Sequence, residues 1–455
     1  MILFLALIGY LIYFDAIKAE TIINHPANRR AEAFAERIIR GDIIDRNGTV
    51  LATTTVAEDG SEYRNYPFSN AFAHAIGFSS TGIPRTGVEN IMNFELLTSN
   101  AFFVERFLNE FRNIKNQGNT IMTTIDARLQ NSAAQALGNN RGAIVAIDYT
   151  TGQILAMVSN PGFDPNIIGQ NWSDLNADEA NSPLLNRATQ GLYAPGSVFK
   201  TLTALEYIRE NPDYTSFTFH CTGSITIDGV TINCAGGRAH GTVDLRQAYA
   251  VSCNSAFIQL GMTLNTDRFV DTVNSFLFNQ TPPSPLNASA TRFPLSSSDP
   301  TSERMMTYIG QGRTMTSPYH MTLITAAIAN GGMLMNPYIV DSILTYNNHT
   351  VRSFHPEEFE QLLPASDASI LQDFMRAVVT DGTAQVLRSD AFTVAGKTGT
   401  AQYSTADGTR THSWFTGYTT MNDLSFAFTI LVEGQDSDAT LRAANLAQSM
   451  LQGFQ

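Results

Sequence analysis

Ser197 and Lys200, in APGSVFKTLTA (residues 194–204), form the one place in the chain where a lysine follows a serine by three residues. A serine hydroxyl is a weak nucleophile until a base takes its proton, and a neutral lysine amine can serve. Residues i and i+3 of a helix share a face with Cβ atoms about 5–6 Å apart, so the spacing suits that pairing. The plainer alternative is an ordinary helix start. Pro195 and Gly196 break the chain, Ser197 is a good N-cap type, and Val198, Phe199, Leu202, Leu205 and Ile208 supply an apolar pattern. Average composition yields about one or two Ser-x-x-Lys matches by accident in a chain this long, so the pair alone decides nothing.

Two later motifs decide it. Ser252-Cys253-Asn254 lies in AVSCNSAFIQLG, and Lys397-Thr398-Gly399-Thr400 lies in VAGKTGTAQ. By average composition, the three motifs in this order are a chance event at a level of about a few per cent. Taken singly, Ser252 and Asn254 are turn residues and Lys397 is a solvated strand lysine. Gly396 and Gly399, however, flank Lys397 within an apolar strand pattern, which predicts close backbone approach by a ligand.

The elements around these motifs suggest a mixed α/β domain, of α+β type, built on a mainly antiparallel sheet. GAIVAIDYTTGQILAMVSNP reads as two buried strands turning at residues 150–152. FTVAGKTGTAQ, SWFTGYTT and LSFAFTILVEG read as three more. TTIDARLQNSAAQAL passes from strand to amphipathic helix. SPYHMTLITAAIANGG predicts a helix from Pro318 to Asn330-Gly331. The Pro-, Ser- and Asn-rich stretch 281–301 reads as a surface loop. In RGDIIDRNGTVLA (residues 40–52), Asn47-Gly48 between apolar runs predicts a hairpin. Residues 59–100 show no clear period. Residues 15–120 are therefore taken as a small strand-rich domain, and 121–455 as the domain carrying the chemistry.

Composition narrows the partners. Hydrophobic residues make up 43% and charged ones 15%, so most of the chain is expected to be globular. With 41 acidic against 28 basic residues and no basic run, no nucleic-acid partner is expected. Three cysteines and eight histidines form no HExxH or CxxC pattern. Cys221, Cys234 and His240, after His220, come closest to a metal signature. They read more simply as a hairpin with paired or free thiols (Cys221 with Cys234, Cys253 left over), so neither metal nor cofactor is expected. Residues 1–14, MILFLALIGYLIYF, are uncharged but shorter than the roughly 20 residues of a membrane-spanning helix. They are expected to be a single membrane anchor whose charged cytoplasmic flank is missing, the alternative being a buried core helix.

The three motifs together resemble the S-x-x-K, S-x-N and K-T-G set of penicillin-binding proteins and class A β-lactamases. The chain resembles class B penicillin-binding proteins, the D,D-transpeptidases of bacterial cell-wall synthesis. RGDIIDRNGTVLA, TGVEN (residues 86–90), AIVAIDYTTGQILAMVSNPGFDPN, NRATQGLYAPGSVFK, IGQGRTMTSP, AIANGGMLMNP and VAGKTGTAQ match in order, spanning residues 40 to about 430. Tyr319-His320 departs from the Leu-Gln common at that position, and the amino-terminal domain is short for the class.

The resemblance implies a penicillin-binding transpeptidase fold and a role for each motif. Ser197 attacks a D-alanyl-D-alanine carbonyl and Lys200 takes its proton. Ser252 relays a proton to the leaving amine, and Asn254 holds Lys200 and the substrate amide. Lys397 and Thr398 receive the terminal carboxylate, next to Gly399, and the N–H groups of Ser197 and Thr400 form an oxyanion hole. It implies stem peptides as donor and acceptor, and β-lactams as trapping agents. It also implies an extracytoplasmic catalytic domain and a SEDS-family glycan polymerase as membrane partner, since residues 1–120 cannot hold a polymerising domain beside an anchor. A serine β-lactamase shares the triad but needs neither anchor nor amino-terminal domain. A β-lactam sensor needs further membrane spans. An inert scaffold would not keep Ser197, Lys200 and Lys397.

Overall fold

The computed structural model describes residues 2–13, 37–100, 109, 112, 114–405, 408–436 and 442–455. The chain divides into two compact units. One comprises residues 1–127, 162–184 and 339–355; the other comprises 128–161, 185–338 and 356–455. The later two segments of the first unit come from the stretch that the sequence assigns to the catalytic domain.

The first unit is built on a six-stranded sheet. In spatial order its strands are Thr350–Ser353, Val340–Leu344, Thr120–Thr123, Ile43–Ile44, Val50–Val56 and Glu62–Asn65. The expected Asn47-Gly48 hairpin forms: Ile43 faces Ala52, and Gly48 takes φ +87°, a conformation that favours glycine. Residues 69–96, without period in sequence, contain one-turn helices at Ala73–Ile76, Gly87–Ile91 and Asn93–Leu96. Elements this short never complete the 3.6-residue pattern that reveals a helix. Helix Ile2–Tyr13 leaves Phe4, Leu7, Ile8, Tyr10 and Tyr13 exposed. Among the described residues no helix is long and apolar enough to cross a membrane.

A buried ion cluster ties two of the resembling motifs together. Glu89 of TGVEN is fully buried and accepts from Arg40 Nε at 2.7 Å and Arg64 Nε at 2.7 Å, with Tyr66 Oη at 3.1 Å. Burial alone would raise the carboxyl, but the Arg40 and Arg64 guanidiniums hold it down at about 2. Gly41 has no room for a side chain, because a Cβ would meet the Asn119 carbonyl oxygen.

The second unit holds an antiparallel five-stranded sheet in the order Thr393–Thr405, Gly408–Met421, Leu424–Asp436, Gly142–Asp148, Ile154–Asn160. All five strands are those expected from the sequence. Strand Gly142–Asp148 is buried at every position, which explains its continuous apolar run. Helices Pro318–Ala329, Ala365–Thr380 and Ala443–Phe454 pack on this sheet. Pro318–Ala329 begins and ends as expected, with the Ser317 hydroxyl accepting from His320 N.

The stretch 281–301 differs from expectation. It is irregular, yet Leu286, Phe293 and Leu295 are buried. Phe293 stacks 5.4 Å from Phe199, directly behind the nucleophile turn, alongside Phe269 and Phe278. Tyr319 Oη donates to Pro283 O, and buried His320 bonds Phe276 O through Nε2. Tyr319 therefore secures this segment and His320 the chain just before it, and burial keeps His320 neutral by lowering it to about 4.

Candidate active site

Ser197 sits in a 3₁₀ turn, Gly196–Phe199, that runs straight into helix Lys200–Glu210. It does not cap the helix: the residue before the turn is Pro195, and Phe199 precedes the α-helix, neither making a side-chain cap bond. In a 3₁₀ turn residues i and i+3 eclipse, which stacks Ser197 over Lys200. Gly196 is required twice over. Its φ is +58°, and a Cβ there would lie 2.4 Å from the Thr400 carbonyl oxygen. The turn is held by Gly196 N donating to Gly310 O at 2.7 Å and Trp414 Nε1 donating to Ala194 O at 3.0 Å.

The three motifs converge, although the first lysine and the second stand 197 positions apart. Lys200 is fully buried; its Nζ donates to Asn254 Oδ1 at 2.7 Å, Ser252 O at 2.9 Å and Ser252 Oγ at 3.4 Å. Lys397, also fully buried, donates to Ser252 Oγ at 2.9 Å and Thr398 O at 3.0 Å. Ser252 thus bridges the two amines. Its φ of +58° is unusual for serine and places its hydroxyl and carbonyl toward them. Ser197 is half-buried, Thr398 half-buried and Thr400 exposed. Lys200 Nζ thus donates to Ser252 and Asn254, and the Ser197 hydroxyl is not among its bonded partners.

Two buried ammonium groups around one hydroxyl are electrostatically costly. Burial pushes Lys200 down to about 7. Burial first, and the charge of Lys200 second, push Lys397 well below the ordinary lysine value. The amines lie 5.4 Å from the ring centres of Phe257 and Tyr249 respectively, which solvate whatever charge remains.

Lys397, Thr398, Gly399 and Thr400 lie on Thr393–Thr405, an edge strand of the five-stranded sheet. An edge strand offers unpaired N–H and C=O groups to an extended peptide. Gly399 is explained differently from the expectation of ligand approach. A Cβ there would meet Val198 Cγ1 at 2.9 Å and Pro195 O at 3.0 Å, so the glycine lets the nucleophile turn pack against the strand. Sequence reasoning missed Thr383, whose Oγ1 lies 2.5 Å from Thr398 Oγ1, and Tyr249, whose hydroxyl bonds Thr201 at 2.8 Å. Neither belongs to a motif: Tyr249 lies within helix Leu245–Ala250, and Thr383 in the turn after helix Ala365–Thr380.

Of the paired and free thiols that the sequence left open, the structure has free ones: all three cysteines are free and buried, with the Cys221 and Cys234 sulfurs 3.6 Å apart.

A serine on a 3₁₀ turn, two buried lysines and an edge strand on an antiparallel sheet define a serine acyltransferase fold. The penicillin-binding protein transpeptidase domain matches residues 142–452, and the penicillin-binding protein A dimerisation domain matches residues 40–121. The chain belongs to the penicillin-binding protein transpeptidase family. The peptidoglycan D,D-transpeptidase PbpA of Mycolicibacterium smegmatis is 31% identical over 455 residues, covering 95% of this chain and 91% of its own. PbpA of Mycobacterium tuberculosis is 30% identical, covering 89% and 87%. Among solved structures, the ceftriaxone acyl-enzyme of penicillin-binding protein A from M. tuberculosis superposes with a TM-score of 0.82 at 27% identity, over 92% of this chain and 98% of that one. The D,D-transpeptidase domain of an Eggerthella lenta peptidoglycan glycosyltransferase gives 0.79 at 29% identity, over 92% and 98%.

Proposed function

We propose that the protein is a peptidoglycan D,D-transpeptidase that cross-links stem peptides through an acyl-enzyme on Ser197, and that β-lactams trap it there. The observation that carries the reading is the bridge Lys200–Ser252–Lys397 beside the nucleophile turn. The Ser197 oxygen attacks the carbonyl of the penultimate D-alanine, and its proton passes to neutral Lys200. The terminal carboxylate of the substrate lies by Lys397 and Thr398. That anion restores the Lys397 charge, and the restored cation across Ser252 lowers Lys200 further. Substrate binding itself thereby favours the neutral base. The N–H groups of Ser197 and Thr400 stabilise the developing oxyanion, a contribution of about 3–4 kcal/mol per donor. Collapse breaks the peptide bond; the proton held by Lys200 passes through the Ser252 hydroxyl to the departing D-alanine amine, and Asn254 orients Lys200 and the substrate amide. An amine from a second stem peptide then attacks the ester and releases Ser197.

Residues 121–455 carry this chemistry, and residues 15–120 serve as a pedestal. The apolar, exposed helix Ile2–Tyr13 supports a single membrane anchor at residues 1–14, with the catalytic domain outside the membrane, where peptidoglycan is built. Glycan polymerisation falls to a SEDS-family partner. The chain alone should therefore make no polymer from a lipid-linked disaccharide precursor, and polymer made without a partner contradicts that division of labour.

The direct test supplies a stem pentapeptide ending in D-Ala-D-Ala together with an amine acceptor. Release of D-alanine with equal formation of cross-linked product is expected. Penicillin hydrolysed over many turnovers, with no cross-linked product, would instead identify a β-lactamase.

A further inference from the structure

We propose that Cys221, Cys234, His240 and Cys253 form a structural zinc site that clamps the Ser252–Cys253–Asn254 turn of the active site. Their ligand atoms all lie within 4.8 Å of one another, three of the four residues being buried. Cys221 Sγ is 3.6 Å from Cys234 Sγ and 3.4 Å from His240 Nδ1, and Cys234 Sγ is 3.8 Å from Cys253 Sγ. Zn–S bonds of about 2.3 Å and Zn–N bonds of about 2.0–2.1 Å make tetrahedron edges of about 3.8 Å between sulfurs and about 3.5–3.6 Å between sulfur and nitrogen. Three of the six edges of the cluster are close to those lengths, and all six lie within 4.8 Å. Neither alternative accounts for it. A disulfide needs sulfurs about 2.0 Å apart and uses only two of the three thiols. Thiol hydrogen bonds are too weak to gather three sulfurs and an imidazole around one point.

The chain around the cluster is shaped to bring the four together. Strand Thr218–Cys221 pairs with Gly241–Asp244 so that Cys221 faces Gly241, next to His240. The hairpin Ser224–Ile227 with Val230–Asn233 closes through Cys234 N donating to Gly223 O at 2.8 Å, which returns Cys234 to Cys221. Cys253 caps helix Asn254–Gly261, its sulfur accepting from Ala256 N at 3.4 Å. The Ser255 hydroxyl lies 3.3 Å from Cys234 Sγ. These contacts suit thiolate ligands, whose charge needs outer hydrogen bonds. On binding, the three thiols release their protons to solvent, and neutral imidazole completes a soft S₃N set that favours zinc.

The position of the cluster gives it a role in acylation. Cys253 stands between the two catalytic-motif residues Ser252 and Asn254. Cys234 follows Asn233, whose carbonyl accepts from Asn254 Nδ2 at 2.9 Å. One ion would thus hold both sides of the residue that fixes Lys200, and would maintain Ser252 at its left-handed φ. The four ligands are positioning residues for the SxN turn.

The test begins with the metal content of the full-length protein after exhaustive dialysis. One zinc per chain is expected. Cobalt reconstitution should give thiolate-to-cobalt charge transfer and tetrahedral visible absorption. His240→Ala should lose the ion, while His240→Cys, which keeps four ligands, should retain it. Stripping the ion from the wild type should slow penicillin acylation about 10–100-fold, the range typical of lost positioning partners, and zinc should restore it. Metal-free protein with three reactive thiols, or with a Cys221–Cys234 disulfide, would overturn the site. Unchanged acylation after stripping would overturn the clamp and leave the metal assignment standing. The acylation arm alone rests on the transpeptidase reading; metal content and the cobalt spectrum do not, and the wild type decides both should a variant fail to fold.

Discussion

Lys200 and Lys397 have the same side chain, the same burial and a shared partner in Ser252, yet different tasks. In the proposed mechanism Lys200 must lose its proton, whereas Lys397 must hold one against a carboxylate. Arginine cannot deprotonate in a protein but still binds carboxylates. Lys200→Arg should therefore reduce the second-order rate of acylation by a fluorescent penicillin at least about 10²–10⁴-fold. Lys397→Arg should keep part of the activity, limited by the larger guanidinium. Equal acylation by the two variants, both folded by circular dichroism, would remove Lys200 as the base. The depressed Lys200 value also fixes a pH profile. Below about 7 the amine carries its proton and cannot accept another. The acylation rate of the wild type should fall about tenfold per pH unit below that point and level off above it. A rate flat from pH 5 to pH 9, measured over a range where the protein stays folded, would exclude a lysine base titrating there.

At the scale of elements, the buried cluster of Arg40, Arg64 and Glu89 shows how short motifs act at a distance. Arg40 and Glu89 are 49 residues apart, and the sequence marks each motif without marking their contact. Removing the carboxylate strands two guanidiniums in a dry environment. Glu89→Gln should destabilise the fold by about 3–5 kcal/mol, measured as a shift in denaturant midpoint. In the wild type the folded carboxyl, near 2, binds fewer protons than the unfolded one, whose ordinary value is 4.5. Its contribution, about 3 kcal/mol, is complete above pH 5 and is lost as pH falls toward 2. The variant should lack that part of the acid slope. If both proteins show the same midpoint and the same slope, the cluster contributes nothing to stability. The strands and the long helices were legible because period and length agree, as in Gly142–Asp148 and Pro318–Ala329. The one-turn helices at residues 73–96 and the inward-facing Phe293 were not, because neither leaves a periodic trace.

For the whole molecule, the sequence exposed the residues proposed for catalysis but hid their geometry. Ser197, Ser252 and Lys397 each stand in a local motif, so their types and order could be read directly. Three findings could not be read: Ser197 enters through a 3₁₀ turn, Gly399 serves packing, and Cys253 joins Cys221, Cys234 and His240. Each depends on which loop closes on which strand. Topology makes its own prediction. A chain anchored by residues 1–14 should sediment with membranes and be open to protease in intact protoplasts, and full-length protein recovered from the soluble cytoplasm would refute the anchor.

The central claim is that Ser197 is the acylated nucleophile, and mass spectrometry after exposure to benzylpenicillin tests it most directly. Intact protein should gain the mass of one whole penicillin molecule. Proteolysis should then place the adduct on the peptide containing Ser197, and Ser197→Ala should gain nothing. An adduct mapped to any peptide without Ser197, or a folded wild-type protein that gains no mass, would contradict the account.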